Sequence, residues 1–258
     1  MSTPSTKIER ADYCAIACAE IFAGAGEIFA SPMTPMATVG ARLARLTTEP
    51  DLLISDGESK FLGSTPPVGK VEDLEGWIPF GRVFETLANG KRHVVMGANQ
   101  IDRYGNQNIS AFGPLDQPKR QMFGVRGAPG NSINHATSYW VAKHSTRVFG
   151  ESVDVISGIG YDRYEHGDPA FRFHHLHRVV TNLGSFDFSG PGGTLHARTL
   201  HPGVSADEVR ENTSFEVSGL DSAETTRAPS EQELYVLNEL VDPKGLRFRE
   251  VPREEDAK

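Results

Sequence analysis

His93-Val94-Val95-Met96-Gly97-Ala98-Asn99-Gln100-Ile101-Asp102-Arg103-Tyr104-Gly105-Asn106 decides how this chain is read. A short apolar run stops at Gly97 and gives way at once to polar side chains. Such a run, bounded by a turn signal, reads as a buried strand. Polar residues crowded at the carboxyl end of a buried strand mark the ligand crevice of open α/β sheets. Asn99, Gln100 and Asn106 offer donors and acceptors without charge. Gly105-Asn106 equally suits a plain reversing turn.

Working outward toward the amino end, residues 12–23 read as a helix with Ile16, Ala19, Phe22 and Ala23 on one side, ended by Gly24 and Gly26. Residues 27–31 read as a short strand. Residues 35–47 read as a helix with proline in its first turn. Residues 52–55 form a buried strand between Pro50 and Gly57, and residues 81–89 a helix stopped by Gly90. This alternation predicts an α/β fold: an open, mostly parallel sheet with flanking helices on both faces.

Toward the carboxyl end the pattern predicts a strand at 122–125, a glycine-rich turn and a helix at 133–140. Strands follow at 146–149, 153–156, 178–182, 185–188 and 194–199. Helices at 205–211 and 230–240 each start with a capping-box signature, Ser205 with Glu208 and Ser230 with Glu233. With no repeat, low-complexity stretch or linker, residues 1–258 read as a single domain.

The net charge of −8 argues against general nucleic-acid binding but leaves room for a local basic patch that takes an anionic ligand. No apolar run approaches a membrane span and no secretory signal is visible. Cys14 and Cys18 lie four apart on one helix face and read as buried thiols, which fits a reducing cytoplasm. The expectation is a cytoplasmic protein with neither nucleic acid nor membrane as partner.

Three further stretches can carry chemistry. Gly124-Val125-Arg126-Gly127-Ala128-Pro129-Gly130-Asn131 joins a predicted strand to a predicted helix. Glycines there let backbone N–H groups approach a ligand, and such a turn can hold a developing oxyanion or a phosphate. Arg126 adds a fixed cation with a fork suited to a carboxylate or carbonyl oxygen. Its glycines do not have dinucleotide-loop spacing.

Ser55-Asp56-Gly57-Glu58-Ser59-Lys60 also follows a strand, and a carboxylate held there can serve as nucleophile or base. A solvated polar turn is the alternative. Phe171-Arg172-Phe173-His174-His175-Leu176-His177-Arg178 holds three histidines, yet lacks further ligands at metal spacing. It reads as a basic, aromatic edge rather than a metal site. His135 and His144 read as structural.

Taken in order, the Gly97 to Asn106 block, the Gly127 to Asn131 turn, Lys143-His144-Ser145-Thr146-Arg147-Val148-Phe149, Val179-Val180-Thr181-Asn182-Leu183-Gly184 with Phe186-Asp187-Phe188, and Leu200-His201-Pro202-Gly203-Val204-Ser205 with Glu208-Val209-Arg210 resemble the β subunits of class I CoA-transferases, glutaconate CoA-transferase especially. The resemblance implies the class I CoA-transferase type of fold. It also implies an α-subunit partner, as αβ or α2β2, an acyl-CoA substrate and an interfacial active site. Coenzyme A enters only as part of the substrate, and no other cofactor or metal is expected.

Members with transferase activity use a β-subunit glutamate in a Glu-x-Gly turn. The matching position here is Ser55, with Asp56 and Glu58 displaced from it. That departure, and the Val-Arg-Gly-Ala-Pro-Gly-Asn turn, resemble the branch of actinobacterial cholesterol ring-cleaving hydrolases. The branch implies hydrolytic, retro-Claisen C–C cleavage of a cyclic β-oxo acyl-CoA in late steroid C/D-ring catabolism. It further implies a catalytic glutamate from the α subunit, Arg126 as this chain's catalytic contribution, and Gly127, Ala128, Gly130 and Asn131 around the oxyanion. Three alternatives stay open. One is a CoA-transferase using Asp56 or Glu58. Another is a non-catalytic scaffold completing the partner's CoA site. The last is a sugar-phosphate isomerase of the same fold.

Overall fold

From the amino end the chain runs α1 (Arg10–Glu20), β1 (Phe29–Pro32), α2 (Pro35–Thr47) and β2 (Leu53–Ile54). An antiparallel hairpin of β3 (Lys60–Leu62) and β4 (Leu74–Trp77) leads to α3 (Phe80–Asn89) and β5 (Arg92–Gly97). Two small hairpins pair β6 (Gln100–Ile101) with β7 (Gln107–Asn108) and β8 (Ala111–Phe112) with β9 (Arg120–Gln121). The second half holds α4 (Ala128–Asn134), β10 (Ala136–Val141), β11 (His175–Thr181), β12 (Gly184–Gly190), β13 (Thr194–Leu200), α5 (Ala206–Glu211), β14 (Glu224–Thr225), α6 (Glu231–Tyr235) and α7 (Arg247–Glu250). This computed structural model describes residues 7–56, 59–89, 91–163, 165 and 167–256.

The central sheet has the order β14-β13-β12-β11-β10-β5-β1-β2. Strands β2, β1, β5, β10 and β11 are parallel, β12 and β13 antiparallel, and β14 parallel to β13. The sheet is therefore mostly parallel. Adjacent residues in its middle strands feed opposite cores. Val95, Trp140 and Val180 pack under α1 and α2, while Val94, Tyr139 and Val179 pack on the other face. Strands buried on both faces read as unbroken apolar runs rather than alternating ones.

Helix α2 starts where Thr34 Oγ1 accepts the Ala37 N–H and Pro35 fixes the first turn. It crosses α1 closely, because a Cβ on Gly40 would stand 2.5 Å from Cys18 Cβ. Cys14 and Cys18 lie buried in α1, and burial pushes both thiols well above their usual range. Arg247 joins α7 to α1 by donating to Asp12 at 2.8 Å and to Asp242 at 2.9 Å, so these buried charges are paired. No described helix is long and apolar enough to cross a membrane.

Several local expectations differ from the structure. Residues 136–140, expected within a helix, belong to the central strand β10. Between β5 and β11, the run Thr137-Ser138-Tyr139-Trp140-Val141 gains two ladders that a helix would forgo. Residues 122–125 do not form a strand, because left-handed backbone at Gly124 and Arg126 breaks the extended chain. Residues 146–149 and 153–156 form no strand; 146–148 are a turn, and Phe149 makes a single bridge to Ile101. Ala23, expected on the buried side of the first helix, is exposed past its end. The frayed start expected before Lys7 and the stop at Gly90 lie outside the described residues.

Candidate active site

Parallel strands β2, β1 and β5 end on one edge of the sheet. Register pairs Ala30 with Ile54, which sets Ser31 beside Ser55. Their hydroxyl oxygens stand 3.3 Å apart, and Ser55 is 1% exposed. This strand end thus holds a buried hydroxyl at Ser55. Asp56 is exposed, and its Oδ1 accepts the N–H groups of Ser59 at 3.0 Å and Lys60 at 3.1 Å. It caps a turn into β3. Gly57 and Glu58 lie outside the described residues.

The glycine-rich turn is built differently. Gly124 has φ +75° and Arg126 has φ +48°, a left-handed conformation that costs a side-chain-bearing residue about 1–2 kcal/mol. The Ala128 N–H closes the turn on Val125 O at 3.0 Å, and the Asn131 N–H bonds Gly127 O at 2.9 Å. Arg126 is exposed, its guanidinium carbon 5.6 Å from the Phe123 ring centre, and Phe123 is 76% exposed. A Cβ on Gly130 would meet only open space. Ala128 and Asn131 turn inward: Asn131 Oδ1 accepts from Arg92 Nη1 at 2.7 Å and its Nδ2 donates to Met96 Sδ. Arg126, Gly127 and Gly130 therefore front the surface, while Asn131 anchors the helix behind them.

The block after β5 is largely committed to its own fold. Asn106 is 1% exposed, donates from Nδ2 to Asp102 and Asp162 at 2.8 Å each, and accepts the Gly160 N–H at 2.8 Å. Asp102 also accepts the N–H groups of Tyr104 and Asn106. Burial nevertheless holds its carboxyl above the usual range. Gln100 joins Asn108 and Asp154. Asn99, half-buried, bonds Asn108 O through its backbone N–H. Its side chain makes no hydrogen bond to a described residue.

Three of the histidines, His93, His175 and His177, lie together, with the His177 ring centre 5.3 Å from each of the other two. His175 pairs across to Ala136, and Ala136 to His93; His93 is level with Ile54 across β1 but packs against Phe22 on the α1 face of the sheet. His177 stacks edge-on to His93, while His174 bonds Ser132 O. Among the described residues no group of three or more His, Cys, Asp or Glu is placed to hold a metal ion. His135 and His144 are buried; His144 stacks on Phe149 and bonds Thr181 and Thr213.

Sequence reasoning passed over Arg92. It is 4% exposed and donates from Nε to Ser31 Oγ at 2.7 Å, so it links the Ser55 strand end to Asn131. Burial pulls its guanidinium down to about 10, which leaves it charged at neutral pH. The available signal was an arginine opening an otherwise apolar strand, since arginine is almost never buried without partners.

No family model matches the chain. The "cholesterol ring-cleaving hydrolase IpdB subunit" of Rhodococcus jostii strain RHA1 is 64% identical over 251 residues, covering 97% of this chain and 99% of that one. The crystal structure of R. jostii RHA1 IpdAB superposes with TM-score 0.93 at 65% identity, covering 95% of this chain and 99% of that one. A more distant relative, the β subunit of 3-oxoadipate CoA-transferase from Pseudomonas knackmussii, is 30% identical over 214 residues, 78% of this chain and 81% of that one. Buried Ser55 and the strained Arg126 turn thus occur in a chain that belongs to the family of cholesterol ring-cleaving hydrolase IpdB subunits, with CoA-transferase β subunits as more distant kin.

Proposed function

We propose that this chain is the β subunit of a heteromeric hydrolase that opens a ring of a cyclic β-oxo acyl-CoA derived from a steroid. Near full-length similarity to a ring-cleaving hydrolase subunit carries this reading. The site geometry agrees with it. Water adds to the ring ketone, the bond to the α-carbon breaks, and its electron pair passes into the thioester enolate. A proton then returns to that carbon, leaving a carboxylate and an intact CoA ester. Arg126 is exposed with half-buried Gly127 and Gly130 beside it, and this turn can meet negative charge on substrate oxygen. The base that activates water comes from the α subunit. Asp56 and Asp102, the described carboxylates beside these strand ends, already accept hydrogen bonds from this chain.

In this reading no thioester forms on this chain, and a buried hydroxyl rather than a carboxylate at Ser55 supports it. The test uses the complex co-expressed with its α subunit. Acyl-CoA is added, borohydride traps any enzyme thioester, and the intact mass of this chain is read. An unmodified chain with substrate consumed is expected. A reduced adduct at Asp56 or Glu58 would establish the transferase reading instead.

A further inference from the structure

Arg92 takes no part in the chemistry above, yet it ties the two halves of the site together. It opens β5, and its side chain lies with Val94 and Met96 on the α4 side of the sheet. From there one planar guanidinium spans from Ser31, beside Ser55, to Asn131 in the helix that follows Arg126. Among the described residues its hydrogen bonds go only to these neutral oxygens; its guanidinium carbon lies 5.9 Å from the Phe29 ring centre, and it meets no carboxylate. A buried cation without an ionic partner is costly, and an apolar side chain of similar volume would serve packing better. The fork nevertheless sets distance and angle at both ends. Asn131 returns that constraint to the turn, because its own N–H bonds Gly127 O at 2.9 Å, one residue from Arg126.

We propose that Arg92 is a positioning residue for ring opening: through Asn131 it holds the Arg126 turn at a fixed place relative to the Ser31–Ser55 strand ends. The proposal rests on the function assigned above. A shift of about 1 Å in a reacting group can cost roughly a hundredfold in rate. Loosening one end of this bridge is therefore expected to lower kcat by about tenfold or more, with little change in substrate binding.

The experiment compares Arg92→Lys, Asn131→Ala and the double variant in the co-expressed αβ complex. It reads kcat and KM with the cyclic β-oxo acyl-CoA, and assembly and thermal midpoint in parallel. Lysine keeps the charge but cannot reach both acceptors with fork geometry. Each single variant is expected to lose about tenfold in kcat with KM within about threefold, and the double to be no more than about threefold slower than the slower single, since both break one bridge. Assembled single variants with wild-type kcat would overturn the proposal, as would multiplying losses in the double. Failure of both single variants to assemble would assign the bridge to folding and overturn it too. If one alone fails to assemble, the other decides. A wild-type complex that does not open the ring removes the functional assignment, and the role of Arg92 with it. A wild-type complex that does, while the variants keep pace, removes the role of Arg92 alone.

Discussion

Residues 97–108 and residues 122–131 both read in sequence as glycine-bearing turns able to hold a ligand, and the structure uses them in opposite ways. In the first, Asn106, Asp102, Gly160 and Asp162 satisfy one another, and Gln100, Asn108 and Asp154 do the same. In the second, Arg126 is exposed in a left-handed conformation and Gly130 faces open space. A saturated knot stabilises a fold, whereas a strained, outward cation is a feature that folding alone does not reward. Polar residues at a strand end are thus ambiguous until their hydrogen bonds are counted.

The largest effect that sharpens this contrast is on Arg126. Arg126→Ala should lower kcat by about 10² to 10³, the usual loss for one donor to developing charge, while the thermal midpoint of the complex stays within a few degrees. Unchanged turnover would remove Arg126 from the chemistry. Next comes Asn106→Ala, which strips partners from Asp102, Asp162 and Gly160 at once. It should destabilise the fold by about 2–3 kcal/mol in denaturant unfolding, while folded complex keeps its turnover. A loss of turnover at full stability would reverse the contrast.

Arg126→Gly should inactivate the enzyme as alanine does, yet stabilise it by up to about 1 kcal/mol, because glycine accepts φ +48° without penalty. A drop in stability would show that the side chain holds the turn. The smallest effect is on pH. The carboxyl of Asp102 sits above its ordinary value, so the folded state binds its proton more tightly than the unfolded state. Its contribution is most favourable below the ordinary carboxylate range and is lost as pH rises through the raised value. The stability difference between wild type and Asp102→Asn should therefore shift against the wild type across that window. A flat difference would contradict the assigned burial effect.

Much of the fold was legible because local chemistry and tertiary structure agree. Helix α2 runs over the predicted residues 35–47, with Thr34 and Pro35 setting its start, and Ser205 and Ser230 cap their helices. Strand β10 was illegible because burial on both faces erases the alternation that marks a strand. Of the site, the Arg126 turn was visible as glycines around a cation. The commitment of Asn106 and Asn131 was not, since their partners Asp162, Gly160 and Arg92 lie 56, 54 and 39 residues away. Arg92 itself was marked only by its place before an apolar run, which does not separate a buried arginine from a solvated one.

The central claim is that this family member adds water across a carbon–carbon bond and leaves the thioester intact. Turnover of the αβ complex in heavy-oxygen water tests it most directly, with the product read by mass spectrometry. The predicted result is a single heavy oxygen in the new carboxylate of a ring-opened product that still carries CoA. Free CoA, or CoA moved to another carboxylic acid with the ring intact, would contradict it.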